Sequence, residues 1–486
     1  MSAWSGKRVT VMGLGLFGGG AGVARWLAER GARVTVTDLR SASELEASVR
    51  ALGDCDVHFV LGGHDEEDFA GADCVVANPA VRPDAPLLRA AREAGTRVTS
   101  ELELFCQECE RPQVWISGTQ GKSTTSHALA SLLNDAGHRA RLAGNIGRSL
   151  LLELDDARRS NESSTFVVEV SSYQLEWLPA DMRERRQSSK VAVAALTNVL
   201  SDHLERHGSP EAYAASKARI LDVLRPGGCA ILPLADDGAD ENGGSRNLAL
   251  GVPRDCRRIE HTALSPTSRS RETAVPAADR LSIMEGRFRL GEIDLGATSD
   301  LRLVGDFQAA NVLVALGAAQ ALGVSAESLA RGIANIRGLP HRMQDLGQRA
   351  GRRVVDNGVS TTPDSTLSAL RSIPVGCTLL LGGLTKRGLD FAELARESKV
   401  REVRVAAFGK GRSAIAESFT EQGVEVCQRE TLEEALEAAW KRTPQGQTLL
   451  FSPAAASFDA YANFSHRAAA FHAALDRLHP ISSSTR

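Results

Sequence analysis

Short runs of β-branched and apolar residues alternate along this chain with stretches of helical character. In the first hundred residues Val9-Thr10-Val11-Met12, Val34-Thr35-Val36-Thr37 and Cys74-Val75-Val76-Ala77 read as strands, with a helix from Ala21 to Arg30 between the first two. That rhythm predicts a parallel α/β sheet. Glu101-Leu102-Glu103-Leu104-Phe105 reads as a linking helix, and Pro112 resets the pattern. A second α/β unit starts at the strand Val114-Trp115-Ile116-Ser117 and continues through Phe166-Val167-Val168-Glu169-Val170 and the run from Val191 to Thr197. From Ala235 to about Thr298 the chain is rich in Asp, Gly, Ser, Arg and Pro, which predicts edge strands and long surface loops of that same unit. An Ala-rich helix between Gly305 and Gly323 and a break at Gly338-Leu339-Pro340 lead into a third unit. Its strands include Val354-Val355, Thr378 to Leu381 and Val403 to Phe408, so three α/β domains in series are expected.

Length agrees, since 486 residues exceed one ordinary core. With 57 basic and 60 acidic side chains, net −3, nothing supports a nucleic-acid partner. No apolar run reaches the length of a membrane span, and the N-terminus lacks a signal core, so a cytoplasmic setting without a membrane partner is expected. The eight scattered cysteines read as reduced thiols, and the lone Cys106/Cys109 pair as incidental to a helix end.

The strongest chemical motif is Ser117-Gly118-Thr119-Gln120-Gly121-Lys122-Ser123-Thr124-Thr125, set between a strand and a helix that runs to about Asp135. Glycines let backbone N–H groups wrap a phosphate, and the helix N-terminus adds positive potential. Lys122 would neutralise the β/γ-phosphates and the Ser123 hydroxyl would ligate Mg²⁺. The motif is shorter than the full P-loop pattern, because Ile116 stands at its first glycine. Glu169 ends an apolar strand, where a P-loop sheet carries a Mg²⁺ ligand. Asp202-His203-Leu204-Glu205-Arg206-His207-Gly208 follows another strand, with Lys217 on the next helix. The histidines read equally as loop caps or as ligands, and Lys217 alone reads as a surface lysine.

Gly13-Leu14-Gly15-Leu16-Phe17-Gly18 matches GxGxxG in strand–turn–helix context, with Asp38 twenty residues beyond. An NAD-dependent dehydrogenase is therefore an alternative, weakened by the downstream P-loop unit, which hydride transfer does not need.

Taken in order, these residues carry a resemblance. The chain resembles the Mur ligases of peptidoglycan synthesis from Gly13 to about Phe471. Further markers are Gly144-Asn145-Ile146-Gly147, Glu169 to Glu176, Thr197-Asn198, Leu339-Pro340-His341-Arg342, Leu380 to Gly383, Ser452 to Asp459 and Asn463-Phe464. The likeness is strongest to the branch that adds D-glutamate to UDP-N-acetylmuramoyl-L-alanine through an acyl phosphate. It implies a Rossmann-like N-terminal domain for the UDP substrate (residues 1–100), a P-loop ATPase-like central domain (101–338) and a Rossmann-like C-terminal domain for the amino acid (339–486). Another Mur or folate-type amide ligase, or one using L-glutamate, is the alternative within that chemistry.

The family pattern also assigns roles. Gly15, Leu16, Phe17, Asp38 and Arg40 would hold the uridine diphosphate, so that the GxGxxG turn is a UDP site rather than an NAD site, while Asn145 and His203 would reach the muramoyl-alanine arm. Gly118, Thr119, Gly121, Lys122, Ser123, Thr124, Asn311 and Arg342 would surround ATP. Ser123, Glu169, His203 and Lys217 would organise two Mg²⁺ ions, Lys217 as a carbamate. Thr361, Lys386, Ser457 and Phe464 would bind glutamate. The implied partners are these small molecules, and the implied state is a monomer. Departures are Val359 for a lysine, Asn357 for a ribose-facing Asp, Leu384 for an Asp, and Phe307-Gln308 for His-Asn.

Overall fold

The computed structural model describes residues 2–16, 18–200, 202–234, 251–261, 276–303, 305–385 and 389–479. Three sheets organise them. The first holds β1 (Arg8–Met12), β2 (Arg33–Asp38), β3 (Val57–Leu61), β4 (Cys74–Ala77) and β5 (Arg97–Thr99) in the order β3-β2-β1-β4-β5, all parallel. The order reverses between β1 and β4, and the Gly13–Gly18 turn leaves β1 at that switch point, the usual ligand position of an open α/β sheet.

The second sheet has nine strands: β6 (Gln113–Ser117), β7 (Ala140–Gly144), β8 (Thr165–Glu169), β9 (Val191–Leu196), β10 (Leu224–Pro233), β11 (Arg257–His261), β12 (Arg280–Met284), β13 (Arg287–Leu290) and β14 (Ile293–Ala297). Their order is β14-β13-β12-β11-β10-β9-β6-β8-β7. Strands β6 and β9 are wholly buried, which is why their sequences run apolar without alternation. The polar stretch after Ala235 supplies β11 and the antiparallel meander β12–β14 at one edge, as its composition suggested; residues 235–250 and 262–275 lie outside the described residues.

The third sheet holds β15 (Gln344–Arg349), β16 (Arg352–Asp356), β17 (Thr378–Gly382), β18 (Arg404–Phe408), β19 (Val426–Gln428) and β20 (Thr448–Phe451), ordered β15-β16-β20-β17-β18-β19. Only β15 is antiparallel to its neighbour among these described strands.

By compactness the chain forms two units, Met1–Asp300 with Ala310–Asn335, and Leu301–Ala309 with Ile336–Arg486. The first contains both N-terminal sheets. Its halves are joined by Arg30, whose guanidinium donates to both carboxylate oxygens of Asp155 at 2.8 and 2.7 Å and lies 3.9 Å from the Trp26 ring. Gly22 makes this approach possible, since a Cβ there would collide with Ser149. The linking helix Glu101–Glu108 sets Phe105 edge-on to Phe166 of β8 at 5.3 Å. The cysteines are all unpaired, Cys106 and Cys109 among them. No helix among the described residues is long and apolar enough to cross a membrane.

Candidate active site

The C-terminal ends of β6, β8 and β9 lie side by side in the central sheet, and each delivers a segment of the motif region. After β6 the chain turns through Gly118 (φ 147°) and Gly121 (φ 82°) into the helix Lys122–Asp135. Neither glycine tolerates a side chain. A Cβ on Gly118 would strike Thr197 Oγ1, and one on Gly121 would strike Asn311 Oδ1. The loop is therefore shaped by contact from two other segments as well as by backbone freedom.

The exit of β9 braces it. Asn198 Oδ1 accepts from the N–H of Gln120 (2.9 Å) and of Thr119 (3.2 Å), and Asn198 Nδ2 donates to Gln120 O (3.1 Å). Thr197 Oγ1 donates to Gln120 O, while Tyr213 OH donates to Thr119 Oγ1 at 3.1 Å. Lys122 Nζ folds onto the carbonyls of Gly118 (3.0 Å) and Thr119 (2.9 Å). Ser123 and Thr124 occupy the first turn of the helix, half-buried and buried. Asn311 is buried, and its carbonyl accepts from Thr125 Oγ1 at 3.1 Å.

Glu169, the last residue of β8, is 1% exposed. Its Oε1 accepts from Asn145 Nδ2 at 3.1 Å, and its buried Oε2 has no hydrogen-bond partner among the described residues. A carboxylate oxygen buried without a partner is costly unless a cation meets it. The donor set thus fits a divalent metal with oxygen ligands. Lys217, on the helix Pro210–Ala218, is also 1% exposed and donates to Gly118 O at 2.7 Å. Its Nζ lies 4.6 Å from the Tyr213 ring centre. Burial, with the Lys122 charge second, pushes this amine down to about 7.

His203 sits exposed at the start of the short helix Leu204–His207, with φ 52° and its ring 5.1 Å from that of Tyr173. Its neighbours hold the segment down. Arg206 donates to Glu176 and to the carbonyls of Pro79, Ala80 and Val81 beyond β4, and His207 Nδ1 lies 3.0 Å from Glu176 Oε1. Thus His207 braces the loop. The bracing roles of Asn198, Arg206, Glu176 and Tyr213 were not assigned from sequence, although Thr197-Asn198 and the segment Asp202–Gly208 had been marked.

At the first sheet, Asp38 is buried and its carboxylate accepts from the N–H of Gly15 (3.0 Å) and of Arg40 (2.9 Å). This ties the glycine turn to the end of β2. Leu16 is exposed beside it, and Phe17 lies outside the described residues.

In the second unit, Thr361 is half-buried after β16, Ser457 is buried after β20, and Phe464 opens the helix Phe464–Leu478. Lys386 lies outside the described residues. Leu384 pairs with Ala456 through Leu384 N to Ala456 O (2.7 Å) and the reverse bond (3.1 Å), which brings the exits of β17 and β20 together. Arg467, wholly buried, donates to Gly382 O (3.1 Å), Ala455 O (2.9 Å) and Gly358 O (3.3 Å). Asn357 commits its amide to Met343 N, Ser360 Oγ and Ser452 Oγ, so both its N–H hydrogens are used within the fold. Arg342 lies half-buried in the turn before β15.

The chain is similar to known proteins along almost its whole length. The model of the Mur ligase middle domain matches residues 116–319, and that of the MurD-like N-terminal domain of Mur ligases matches residues 7–100. A UDP-N-acetylmuramoylalanine–D-glutamate ligase of Geobacter metallireducens is 35% identical, covering 98% of this chain and 98% of its own. One from a Roseiflexus species is 34% identical over 96% of this chain and 98% of its own. The fold is shared with the solved UDP-N-acetylmuramate-alanine ligase MurC of Thermotoga maritima, at TM-score 0.57 and 17% identity over 97% of this chain and 100% of that one. It is shared as well with the MurF ligase of Thermotoga maritima in complex with ADP, at TM-score 0.54 and 16% identity over 98% and 100%. With relatives of this identity along almost its whole length, the chain belongs to the Mur ligase family, on its MurD-like branch.

Proposed function

We propose that this chain is the ATP-dependent ligase that adds D-glutamate to UDP-N-acetylmuramoyl-L-alanine in peptidoglycan precursor synthesis. End-to-end similarity to ligases of that name supports the substrates. The observation that carries the chemistry is the braced phosphate loop with buried Lys217 and the unpartnered oxygen of Glu169 beside it. A dehydrogenase would need neither.

A carboxylate is a poor acyl donor, and phosphorylation makes it a good one. The alanyl carboxylate oxygen attacks the γ-phosphorus of ATP, and ADP leaves. The glutamate amine then attacks the acyl carbon, the C–O bond to phosphate breaks, and the amine gives up a proton. Lys122 and the N–H groups of Gly121 to Ser123 at the helix start spread the charge that develops on the transferring phosphoryl group. Asn311 and Arg342 are assigned to the nucleotide. Gly15, Leu16, Phe17, Asp38 and Arg40 are assigned to the UDP, and Asn145 to the muramoyl-alanine arm. Thr361, Lys386, Ser457 and Phe464 are assigned to glutamate.

Ser123, Glu169, His203 and Lys217 would hold Mg²⁺, which supplies charge neutralisation at the phosphates. A cationic lysine repels such an ion. The neutral amine of Lys217 can instead add CO₂: a C–N bond forms, one proton leaves, and the side chain becomes an anion. The proposed division of labour is residues 1–100 for UDP, 101–338 for ATP and 339–486 for glutamate, in a cytoplasmic monomer.

The test is a radiolabelled ligation assay with UDP-N-acetylmuramoyl-L-alanine, ATP and a panel of amino acids of both configurations. D-Glutamate is expected to give product with one ADP per amide bond. Equal or better ligation of another amino acid would overturn the substrate assignment, and ligation without ATP cleavage would overturn the mechanism.

A further inference from the structure

At one end of the six-stranded sheet, three separate chain segments bring nitrogen and oxygen atoms together. His341 lies in the turn before β15, Asp356 ends β16, and His472 lies in the helix Phe464–Leu478. His341 Nδ1 is 2.7 Å and His472 Nε2 is 2.6 Å from the same oxygen, Asp356 Oδ2. One ligand atom from each residue lies within 4.8 Å of the other two. The two imidazoles meet edge to face, 5.2 Å apart at 67°, so their nitrogens converge on the carboxylate instead of the rings stacking.

Asp356 is fully buried, whereas the side chains of His341 and His472 keep 17% and 30% of their exposure. The cluster therefore has a closed floor and an approach from solvent. The other carboxylate oxygen is fixed by the Gly358 N–H at 2.7 Å. His341 adopts φ 62°, a backbone region that costs a non-glycine residue energy. Its N–H donates to Gln344 Oε1 and its carbonyl accepts from Val359 N, each at 3.0 Å, and these bonds hold its ring over the carboxylate.

We propose that His341, Asp356 and His472 form a binding site for a divalent transition-metal ion of the zinc class. Two imidazoles and one carboxylate are the donor set such ions take, with a remaining position open to water. Mg²⁺ and Ca²⁺ favour all-oxygen sets and fit this one poorly. Loading is ligand exchange without redox change. Protons on His341 Nδ1 and His472 Nε2 that serve Asp356 pass through solvent to the opposite ring nitrogens, and the freed lone pairs bind the ion. An imidazole that was charged releases one proton. The ion would tie the turn ahead of β15 to the helix Phe464–Leu478. It shares no residue with the groups assigned to the metal ions of the ligase reaction, and its test needs no turnover.

The full-length chain, stripped with chelator and desalted, is titrated with Co²⁺ in buffer free of Mg²⁺ and nucleotide. Wild type is expected to take up one equivalent with visible ligand-field bands, displaced by one equivalent of Zn²⁺. His472→Ala should lose that equivalent, with affinity down by at least about 10–100-fold, the loss that even an outer partner of a ligand causes. His203→Ala should keep it. Because His472 is partly exposed, His472→Ala is expected to fold, and the melting curve of the stripped protein checks this; Asp356→Asn provides a second variant, expected to lose the same equivalent. Either of two results overturns the proposal: no stoichiometric uptake by wild type, or an equivalent retained unchanged in a folded His472→Ala.

Discussion

Lys217 Nζ donates to the carbonyl of Gly118 at 2.7 Å, which sets a buried amine against the first glycine of the phosphate loop. In sequence it is a lone helix lysine. In the fold it is 1% exposed, and desolvation favours its neutral form. Lys217→Ala is expected to lose most ligase activity, and short carboxylic acids to restore part of it by standing in for a carbamate. Lys217→Arg should not be rescued, since guanidinium keeps the charge and fills the space. Normal turnover by Lys217→Ala without added acid would show that the lysine has no part in the chemistry.

The same burial sets a pH dependence. The amine is pushed from 10.5 down to about 7, so its neutral, CO₂-reactive form grows as pH rises through about 7 and is lost below it. At fixed dissolved ¹³CO₂, the carbamate carbon signal should be weak near pH 6 and strong near pH 8, on the order of one unit either side of the midpoint. An ordinary lysine would show it only near pH 10 or above. No signal at about pH 8 in wild type, or an equal one in Lys217→Ala, contradicts the assignment.

Lys122 tests the loop directly. Its ammonium rests on the carbonyls of Gly118 and Thr119, close to where the β/γ-phosphates are expected. Lys122→Ala should keep the melting temperature and lose about 10²–10³-fold in turnover, the usual cost of removing one electrostatic donor from a transition state. A variant above about a tenth of wild-type turnover would remove the lysine from the phosphoryl transfer.

Asn198 never touches a phosphate in this reading; it accepts from the N–H groups of Thr119 and Gln120 and so fixes the shape of the loop that leads into Gly121 to Ser123. Asn198→Ala leaves Gln120 N–H without its acceptor and removes a donor to Gln120 O, while Thr119 N–H keeps the backbone carbonyl of residue 198 at 3.0 Å. The two part-buried hydrogen bonds lost to Gln120 are worth about 0.5–1.5 kcal/mol each. The KM for ATP should rise by about tenfold or more, at roughly 1.4 kcal/mol per tenfold. An unchanged KM for ATP would mean the loop holds its shape without this brace.

Much of this was legible in the sequence, for a physical reason. Buried parallel strands such as Val114-Trp115-Ile116-Ser117 carry no polar face, so they appear as continuous apolar runs between helices. β15 was invisible, because Gln344-Asp345-Leu346-Gly347-Gln348-Arg349 is a polar antiparallel edge strand with no apolar run. Motif geometry was readable where backbone and side chain act within one segment, as in the strand–turn–helix at Gly118 to Ser123. Bracing residues were not. Arg206 reads as one more charge in a polar loop, and only the fold places it under three carbonyls beyond β4. His472 was unmarked for the same reason, since its partners are 116 and 131 positions away.

Arg467 is the extreme case, a helix arginine that composition would place on the surface. It is fully buried and joins the exits of three strands: Gly358 after β16, Gly382 at the end of β17, and Ala455 after β20. Burial pushes its guanidinium down to about 10, which still leaves it charged at neutral pH. Ser457 lies two residues past Ala455 and Thr361 three past Gly358, so the loops it fixes are those assigned to glutamate. Arg467→Met keeps apolar volume but strips donors from three carbonyls, at about 1–3 kcal/mol for each left unpaired. Two effects should follow: a lower melting temperature, and a KM for glutamate that rises while the KM for ATP holds. Arg467→Lys, with charge but no planar fork, should recover part of the stability and less of the glutamate KM. If Arg467→Met loses stability and raises both KM values equally, the residue supports the fold generally and does not position the amino-acid loops.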